Sequence, residues 1–517
     1  SDDLSEGSDI DGGYSDNEAE NDMNLADANL VQVRPGDDEN LQGFFASDSD
    51  SDSEFEGFHG DIWAQDARHF TPRLPRRFSG NPGAAEQHPE EAQPYHYFSM
   101  LWGDEMWQHL VTETNRYAEQ ERLRNPPPPN AAKWVPVDVP TLKAFIGLVF
   151  SMGIIKLPHR YDYWRQKRVM FRTAFNNIMP RNKFSQIWRY LHLHDSQAPP
   201  PDQPDKLLKI RWFIDYLNDK CSKAYAPYGH YTVDESMIKF KGRLSFRQYL
   251  PAKPVKWGVK MWSLCESTTG YLHRFQIYTG KEGMQEKGLS HRVVMDLIGH
   301  LEQQNIPLFM DNFYTGTKLL TELIVHGIYA CGTVRANRKS LPTALLPKNA
   351  RLQKHEYKVA QKDDLTFCIW MDTKSVLVLS NFHSPDSVGS VNRRSGQALQ
   401  QRVRVPKMVE DYQAHMKGVD LMDQMIGYYM IQHRSKKWWR RIFHYLLMAC
   451  AHNAYIIASD SNPDVVKSEW PNFQDFIEEL AEGLIGNYSS SKREVPNQNV
   501  ARAGVVHEVK NLYGENR

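Results

Sequence analysis

The sequence predicts an α/β protein built on a mixed sheet with flanking helices. Three observations predict it. Near residue 229 the apolar pattern changes from a helical to a strand period. From there to Val334 the segments run β-β-β-α-β-α-β. Helical segments stand on both sides of that stretch, and the chain carries no internal repeat.

Charge divides the chain before any element begins. Residues 1–57 hold 18 acidic residues and one basic residue, Arg34, so the net charge of -1 conceals a remainder with 61 Lys and Arg against 45 Asp and Glu. Residues 1–90 are rich in Asp, Ser, Glu and Gly and read as a disordered acidic region. An acidic tail on a basic body fits polyanion binding and fits a merely solubilising tail equally well. The longest apolar stretch, Ala144 to Phe150 with interrupted continuation to Ile155, is shorter than the roughly 20 residues of a membrane span. No charged-then-apolar leader opens the chain, so secretion is not expected. Cys221, Cys265, Cys331, Cys368 and Cys450 are scattered and read as free thiols with no zinc module.

Phe98, Leu101, Trp102, Met106, Leu110 and Tyr117 recur at helical intervals up to the proline loop Asn125 to Asn130. Further helices are expected over about 140–153, 181–193 and 206–225. His230 to Ile238 reads as a strand, Val255 to Leu264 as a second, and Tyr271 to Tyr278 as a third after the turn Ser267 to Gly270. A helix capped by Ser290 follows, then the buried strand 306–310, a helix over about 315–326 and the strand Ile328 to Val334. Tyr357 to Ala360, Leu365 to Trp370 and Ser375 to Leu379 form a strand meander within 337–407. Val405-Pro406 opens a helix carrying Met408 through Val419, and Trp438 to Ile457 is another. Beyond residue 487 the chain is polar and reads as flexible.

Three acids sit where a sheet enzyme could use them. Asp234 lies in the first strand. Asp311 directly follows the buried strand, at the carboxyl end, where open α/β sheets bind ligands. Asp420 shares a helix face with Asp423. Magnesium prefers oxygen ligands, and two ions about 4 Å apart clamp the attacking and leaving oxygens of a phosphodiester displacement. Among 63 acidic residues, the plain alternative for any one of them is solvated surface.

The words around these acids carry a family likeness. Val233-Asp234-Glu235-Ser236, with Phe240-Lys241-Gly242-Arg243 and Arg247-Gln248-Tyr249, resembles the first catalytic-aspartate block of piggyBac-type DDD transposases. Met310-Asp311-Asn312-Phe313-Tyr314 resembles the second, and Gly418-Val419-Asp420-Leu421-Met422-Asp423-Gln424 the third, where the family has an aspartate pair. Cys331 to Lys339 is similar to the stretch after the second aspartate. The resemblance covers about residues 90–480.

The resemblance implies an RNase H-like catalytic core in two parts, 227–336 and 408–427, split by a β-rich insertion domain at 337–407. It implies a helical dimerisation and DNA-binding domain assembled from 91–226 and 428–487, with 488–517 as a flexible tail. Asp234, Asp311 and Asp420 would be metal ligands for two Mg2+ ions, with Mn2+ as an alternative, and Asp423 a fourth functional acid. The implied activity is cleavage of transposon-end DNA through hairpins and strand transfer into TTAA sites, by a homodimer; a nuclear location is expected from the DNA chemistry. Members commonly end in a cysteine-rich zinc domain, whereas here no cysteine follows Cys450.

Basic residues mark the expected DNA face. Arg335, Arg338 and Lys339 follow a core strand, and Arg393 and Arg394 lie in a polar loop of the insertion. Arg434, Lys436 and Lys437 run into Trp438-Trp439. Trp438 is the candidate for stacking on an unpaired base, against the alternative that either tryptophan is core. His192-Leu193-His194-Asp195 reads as a helix end, not a metal site. Two other functions compete: a domesticated transposase-derived DNA-binding or chromatin protein without catalysis, and an RNase H-like nuclease acting on RNA or repair intermediates.

Overall fold

The computed structural model describes residues 63–489, apart from 72–77, 79–81, 87, 90, 166–174, 200, 227, 252, 281–287, 396–398 and 432–434. Within the stretch expected to be disordered up to residue 90, some described residues pack. Trp63 is buried against Phe367, and Ala64 bridges to Gln361. A large indole gains more from burial than ordering it costs, and the composition of the surrounding segment hid that.

The two-residue strand β1 (Gly83–Ala84) is followed by helices α1 (Pro94–Leu101), α2 (Asp104–Arg124), α3 (Val139–Ile154), α4 (Phe175–Ile178), α5 (Arg181–Tyr190) and α6 (Arg211–Ala224). The predicted first helix is broken at Trp102-Gly103, where the Tyr216 hydroxyl accepts from the Gly103 amide. β2 (Tyr225–Ala226) pairs with β1.

The main sheet follows. Its strands are β3 (Tyr231–Lys239), β4 (Gln248–Tyr249), β5 (Trp257–Glu266), β6 (Leu272–Ile277), β7 (Ile306–Met310), β8 (Ile328–Thr333), β9 (Tyr357–Lys362), β10 (Leu365–Met371) and β11 (Ser375–Ser380). They lie in the order β4-β5-β3-β7-β8-β11-β10-β9, with β6 beside β5. β3, β7 and β8 are parallel and every other pairing is antiparallel. The two parallel crossovers carry α7 (Leu289–Ile298) and α8 (Thr317–Val325). The meander of 337–407 does not stand apart from this sheet: β11 pairs with β8 and extends it. Pairing partners 45 or more positions apart leave no local trace in the sequence.

Arg393 and Arg394 are not in a loop. They lie in β12 (Val388–Ser395), which forms a hairpin ribbon with β13 (Leu399–Pro406). Val391 and Val403 face each other there and are buried. The predicted helix from Pro406 is in fact two, α9 (Lys407–His415) and α10 (Gly418–Tyr429). α11 (Trp438–Ser461), α12 (Pro463–Glu469) and α13 (Phe473–Ile485) follow, the last elements among the described residues. α7 begins after Gly288, whose φ of 76° no β-branched residue would adopt readily, so Ser290 is inside the helix and buried instead of capping it.

Alternation sorts the sheet's side chains. Trp262 and Leu264 of β5, Leu308 and Met310 of β7 and Phe367 and Ile369 of β10 face α7 and α8. On the other side Val259 and Met261 join the core of the helical body, while Phe309, Cys368 and Trp370 join that of α9 and the ribbon. α11 is long and apolar enough to span a membrane by length and composition, yet nearly all of it is buried here. It packs with α1, and α13 packs with α3, so helices from both ends of the sequence share one core.

Candidate active site

β3 and β7 pair Tyr231 with Leu308, Thr232 with Phe309 and Val233 with Met310. The pairing stops there because β7 ends, so the next register step sets Asp234, in the middle of β3, beside Asp311, just past the carboxyl end of β7. Val233 and Met310 point into the core under α7 and α8, which turns both aspartates to the other face. A narrow gap there is lined by Thr232, Asp234, Asp311, Tyr412 and Met416. Local hydrogen bonds fix both side chains. The Glu235 amide donates to Asp234 at 2.7 Å. The Phe313 amide donates to Asp311 Oδ1 at 2.8 Å, closing an Asx turn after β7.

Glu235 is the carboxylate that sequence reasoning missed. Its oxygens and those of Asp234 and Asp311 come within 4.8 Å of one another. Strict strand alternation assigns neighbours to opposite faces, and the motif alone gave no reason to count both. Burial, then the charge of Glu235, pushes the Asp234 carboxyl up to about 8 despite Lys253. Burial also raises Asp311, with the Phe313 amide, Arg335 and Lys260 acting against it.

α10 brings the second pair of aspartates. Gly418 makes this possible, since a Cβ there would lie 2.6 Å from the Glu266 carbonyl oxygen. Gly270, at φ +77°, abuts the Met422 amide from the β5–β6 turn. Asp420 is exposed in the first turn of α10. Asp423 accepts hydrogen bonds from Tyr445 and Ser236, and burial pushes its carboxyl up to about 6. Neither belongs to the group of three whose oxygens converge. All of them except Asp311 act on one ammonium, Lys253, which sequence reasoning also missed. Its Nζ donates to the Glu235 carbonyl at 3.1 Å and lies 3.5 Å from the Glu235 carboxylate. Burial alone would lower the Lys253 pKa, but Asp234, Glu235, Asp420 and Asp423 together raise it.

The expected DNA-facing residues are in different situations. Arg335 is exposed, and its Nε donates to Asn312 at 3.0 Å, next to Asp311. Arg338 donates to the Phe313 carbonyl at 2.6 Å, and Lys339 is exposed beside it. Arg393 is held by Asp372 at 3.1 Å and covers the Trp370 ring. Arg394 pairs through its backbone with Gln400; its side chain and the whole of Arg434 lie outside the described residues. Lys436 is exposed, and Lys437 stands over the Tyr117 ring. Trp439 is buried at 2% exposure, whereas Trp438 is partly exposed and meets Phe246 edge-on. His192 is buried and stacked on Tyr117, and burial drives its imidazole down to about 2.

Comparisons with known proteins identify the family. A family model described as Transposase IS4 matches residues 93–455. Human PiggyBac transposable element-derived protein 2 is 27% identical over 422 residues, spanning 78% of this chain and 68% of that protein. Human PiggyBac transposable element-derived protein 3 is 30% identical over 309 residues, spanning 57% of this chain and 51% of that protein. The fold is similar to that of piggyBac transposase in a cryo-EM synaptic complex with hairpin DNA, with a TM-score of 0.69 and 22% identity over 81% of this chain and 86% of that one. The chain belongs to the piggyBac transposase family.

Proposed function

We propose that this protein is a metal-dependent DNA endonuclease and strand transferase. The observation that carries the reading is the convergence of Asp234 and Glu235, in the middle of β3, with Asp311 just past the carboxyl end of β7. The order β6-β5-β3-β7-β8, with β3, β7 and β8 parallel, supports an RNase H-like core. In this reading 227–336 and 408–427 form that core, 337–407 is its insertion, and 91–226 with 428–487 form the helical dimerisation and DNA-binding part.

The residues fit a divalent cation. Carboxylate oxygens are the ligands magnesium prefers, and a half-buried cluster with a carboxyl raised to about 8 despite Lys253 holds more negative charge than that one ammonium offsets. Asp234, Asp311 and Asp420 would hold two Mg2+ or Mn2+ ions, with Asp423 supporting the site. Bound there, such ions activate a water or 3'-hydroxyl and stabilise the departing oxygen. The chain's own groups prepare the surroundings. Lys253 partly neutralises the carboxylates, Arg335 and Arg338 offer charge to the DNA backbone, and α10 holds Asp423 against β3 through Ser236. Trp438 supports a hairpin route, because a partly exposed indole at a basic helix start can stack on an unpaired base.

The substrate in this reading is double-stranded transposon-end DNA, cut through a hairpin and joined at TTAA by a nuclear homodimer. Incubation with a duplex carrying a candidate element end beside TTAA tests it. Nicked and then hairpin-ended products in Mg2+ are expected. The names of the relatives, derived from transposable elements, favour one second reading, a domesticated DNA-binding protein. Folded protein that binds this duplex and yields no nick would select that second reading.

A further inference from the structure

Tyr314 belongs to the turn that Asp311 opens. The Phe313 amide donates to Asp311 Oδ1 at 2.8 Å. The Thr315 amide and hydroxyl both donate to the Asp311 carbonyl, at 3.2 and 2.8 Å. These bonds on either side of Tyr314 fix it relative to Asp311. Its ring packs into the core under α7 and α8. It is 2% exposed, and its hydroxyl has no hydrogen-bond partner. Leaving a buried hydroxyl unpaired costs stability, and solvent does not reach this one.

Glu235 approaches the same place from the sheet. It pairs with Trp262 across β3 and β5, so the two side chains share a face. Trp262 lies in the same core as Tyr314. Lys260, two residues before Trp262, spans from strand to turn: its Nζ stands 5.4 Å from the Trp262 ring centre and 4.7 Å from that of Phe313. The charges that act on the Tyr314 hydroxyl are those of Glu235 first, then Asp234 and Asp311. The Glu235 carboxylate is itself loosely held. Lys253 Nζ lies 3.5 Å from it, and it accepts no hydrogen bond among the described residues. An unpaired donor and an under-satisfied acceptor therefore stand beside the three converging carboxylates.

We infer that Tyr314 is a positioning residue for the metal site, its hydroxyl donating to the Glu235 carboxylate when the cluster holds a divalent cation. The inference rests on the metal-dependent reading proposed above. In the metal-free protein Lys253 draws Glu235 away from the hydroxyl. With the cluster loaded, Lys253 is repelled and the carboxylate can turn to Tyr314. Donors behind metal-binding carboxylates fix their orientation, and their loss weakens metal binding.

Tyr314→Phe removes the oxygen and keeps the ring. In EDTA its melting temperature should equal or exceed that of the wild type, because the lost hydroxyl was unpaired. Its affinity for Mn2+, read from the EPR signal of the free ion during titration of the full chain, should fall about tenfold. Glu235→Ala should weaken Mn2+ binding too, and adding Tyr314→Phe to it should cost less than about twofold more. A further tenfold loss in the double variant would give the hydroxyl to Asp234 or Asp311 and overturn its assignment to Glu235. A lower melting temperature for Tyr314→Phe in EDTA would mean that the hydroxyl is already bonded without metal, and would overturn the inference. Wild-type affinity in Tyr314→Phe would overturn the positioning role and leave the metal reading intact. Wild-type protein that binds no Mn2+ would overturn the metal reading itself, and this inference with it.

Discussion

Asp234 and Asp311 occupy the same register step of two parallel strands, one residue beyond the last paired step, Val233 with Met310. Two carboxylates meet there because β7 ends at Met310 while β3 runs on to Lys239. The local cost of that arrangement is electrostatic.

The metal-free protein should lose stability as pH rises from 6.5 to 8. Folded Asp234 titrates at about 8 against an ordinary value of 3.8, so within this window the folded state binds more protons than the unfolded state, and stability falls with rising pH. Asp423, at about 6, acts in the same direction at lower pH. Buried His230, His300 and His452, each held near 4 by burial, act oppositely and only below 6.5. Thermal melts in EDTA should therefore drop by several degrees from pH 6.5 to 8, and Asp234→Asn should flatten that slope. An equal slope in the variant would remove Asp234 as its source.

Lys253→Gln takes a cation from among four carboxylates. It should destabilise the metal-free protein by about 1–3 kcal/mol. It should also enlarge the melting-temperature rise caused by Mg2+, because one competing positive charge is gone. Paired melts with EDTA and with Mg2+ measure both effects, and a smaller Mg2+ response would contradict the placement.

Gly418→Ala tests how α10 is seated. The added methyl meets the Glu266 carbonyl at 2.6 Å and the Ser267 Cα at 3.0 Å, both backbone. Since neither atom can swing aside, α10 must move, at a cost of about 1–3 kcal/mol, and nicking should fall with it because Asp420 and Asp423 move too. Nicking at the wild-type rate would show that the position of α10 is not needed for the chemistry.

The two tryptophans should separate. Trp439→Ala empties a core position and should cost about 3–5 kcal/mol. Trp438 is only partly buried, at the edge of the helical core and against Phe246, so in Trp438→Ala the fold should persist while hairpin formation falls more than first-strand nicking. Product analysis on denaturing gels distinguishes the steps. Equal loss of both steps, or of soluble protein, would make Trp438 a core residue.

The strands that position the site were readable, because each carries its own alternation and ends in its own polar residue. Asp311 after Ile306–Met310 is the clearest case. Glu235 and Lys253 were not readable. The first violates the two-residue period that made its strand visible, and the second lies in a turn whose position depends on the antiparallel pairing of β4 with β5. The arginines of β12 were misread as loop because the ribbon buries only alternate valines beneath polar residues. The break before α10 depends on a backbone-to-backbone approach at Gly418 that no periodicity records.

The central claim is that Asp234 and Asp311 hold a divalent cation that cuts DNA. Its most direct test is Mg2+-dependent nicking of an element-end duplex by wild-type protein and by Asp311→Asn at matched folded concentration. The account predicts nicking by wild type, none in EDTA, and loss of at least about a hundredfold in the variant with its fold and DNA affinity intact. Nicking by Asp311→Asn at the wild-type rate would contradict it.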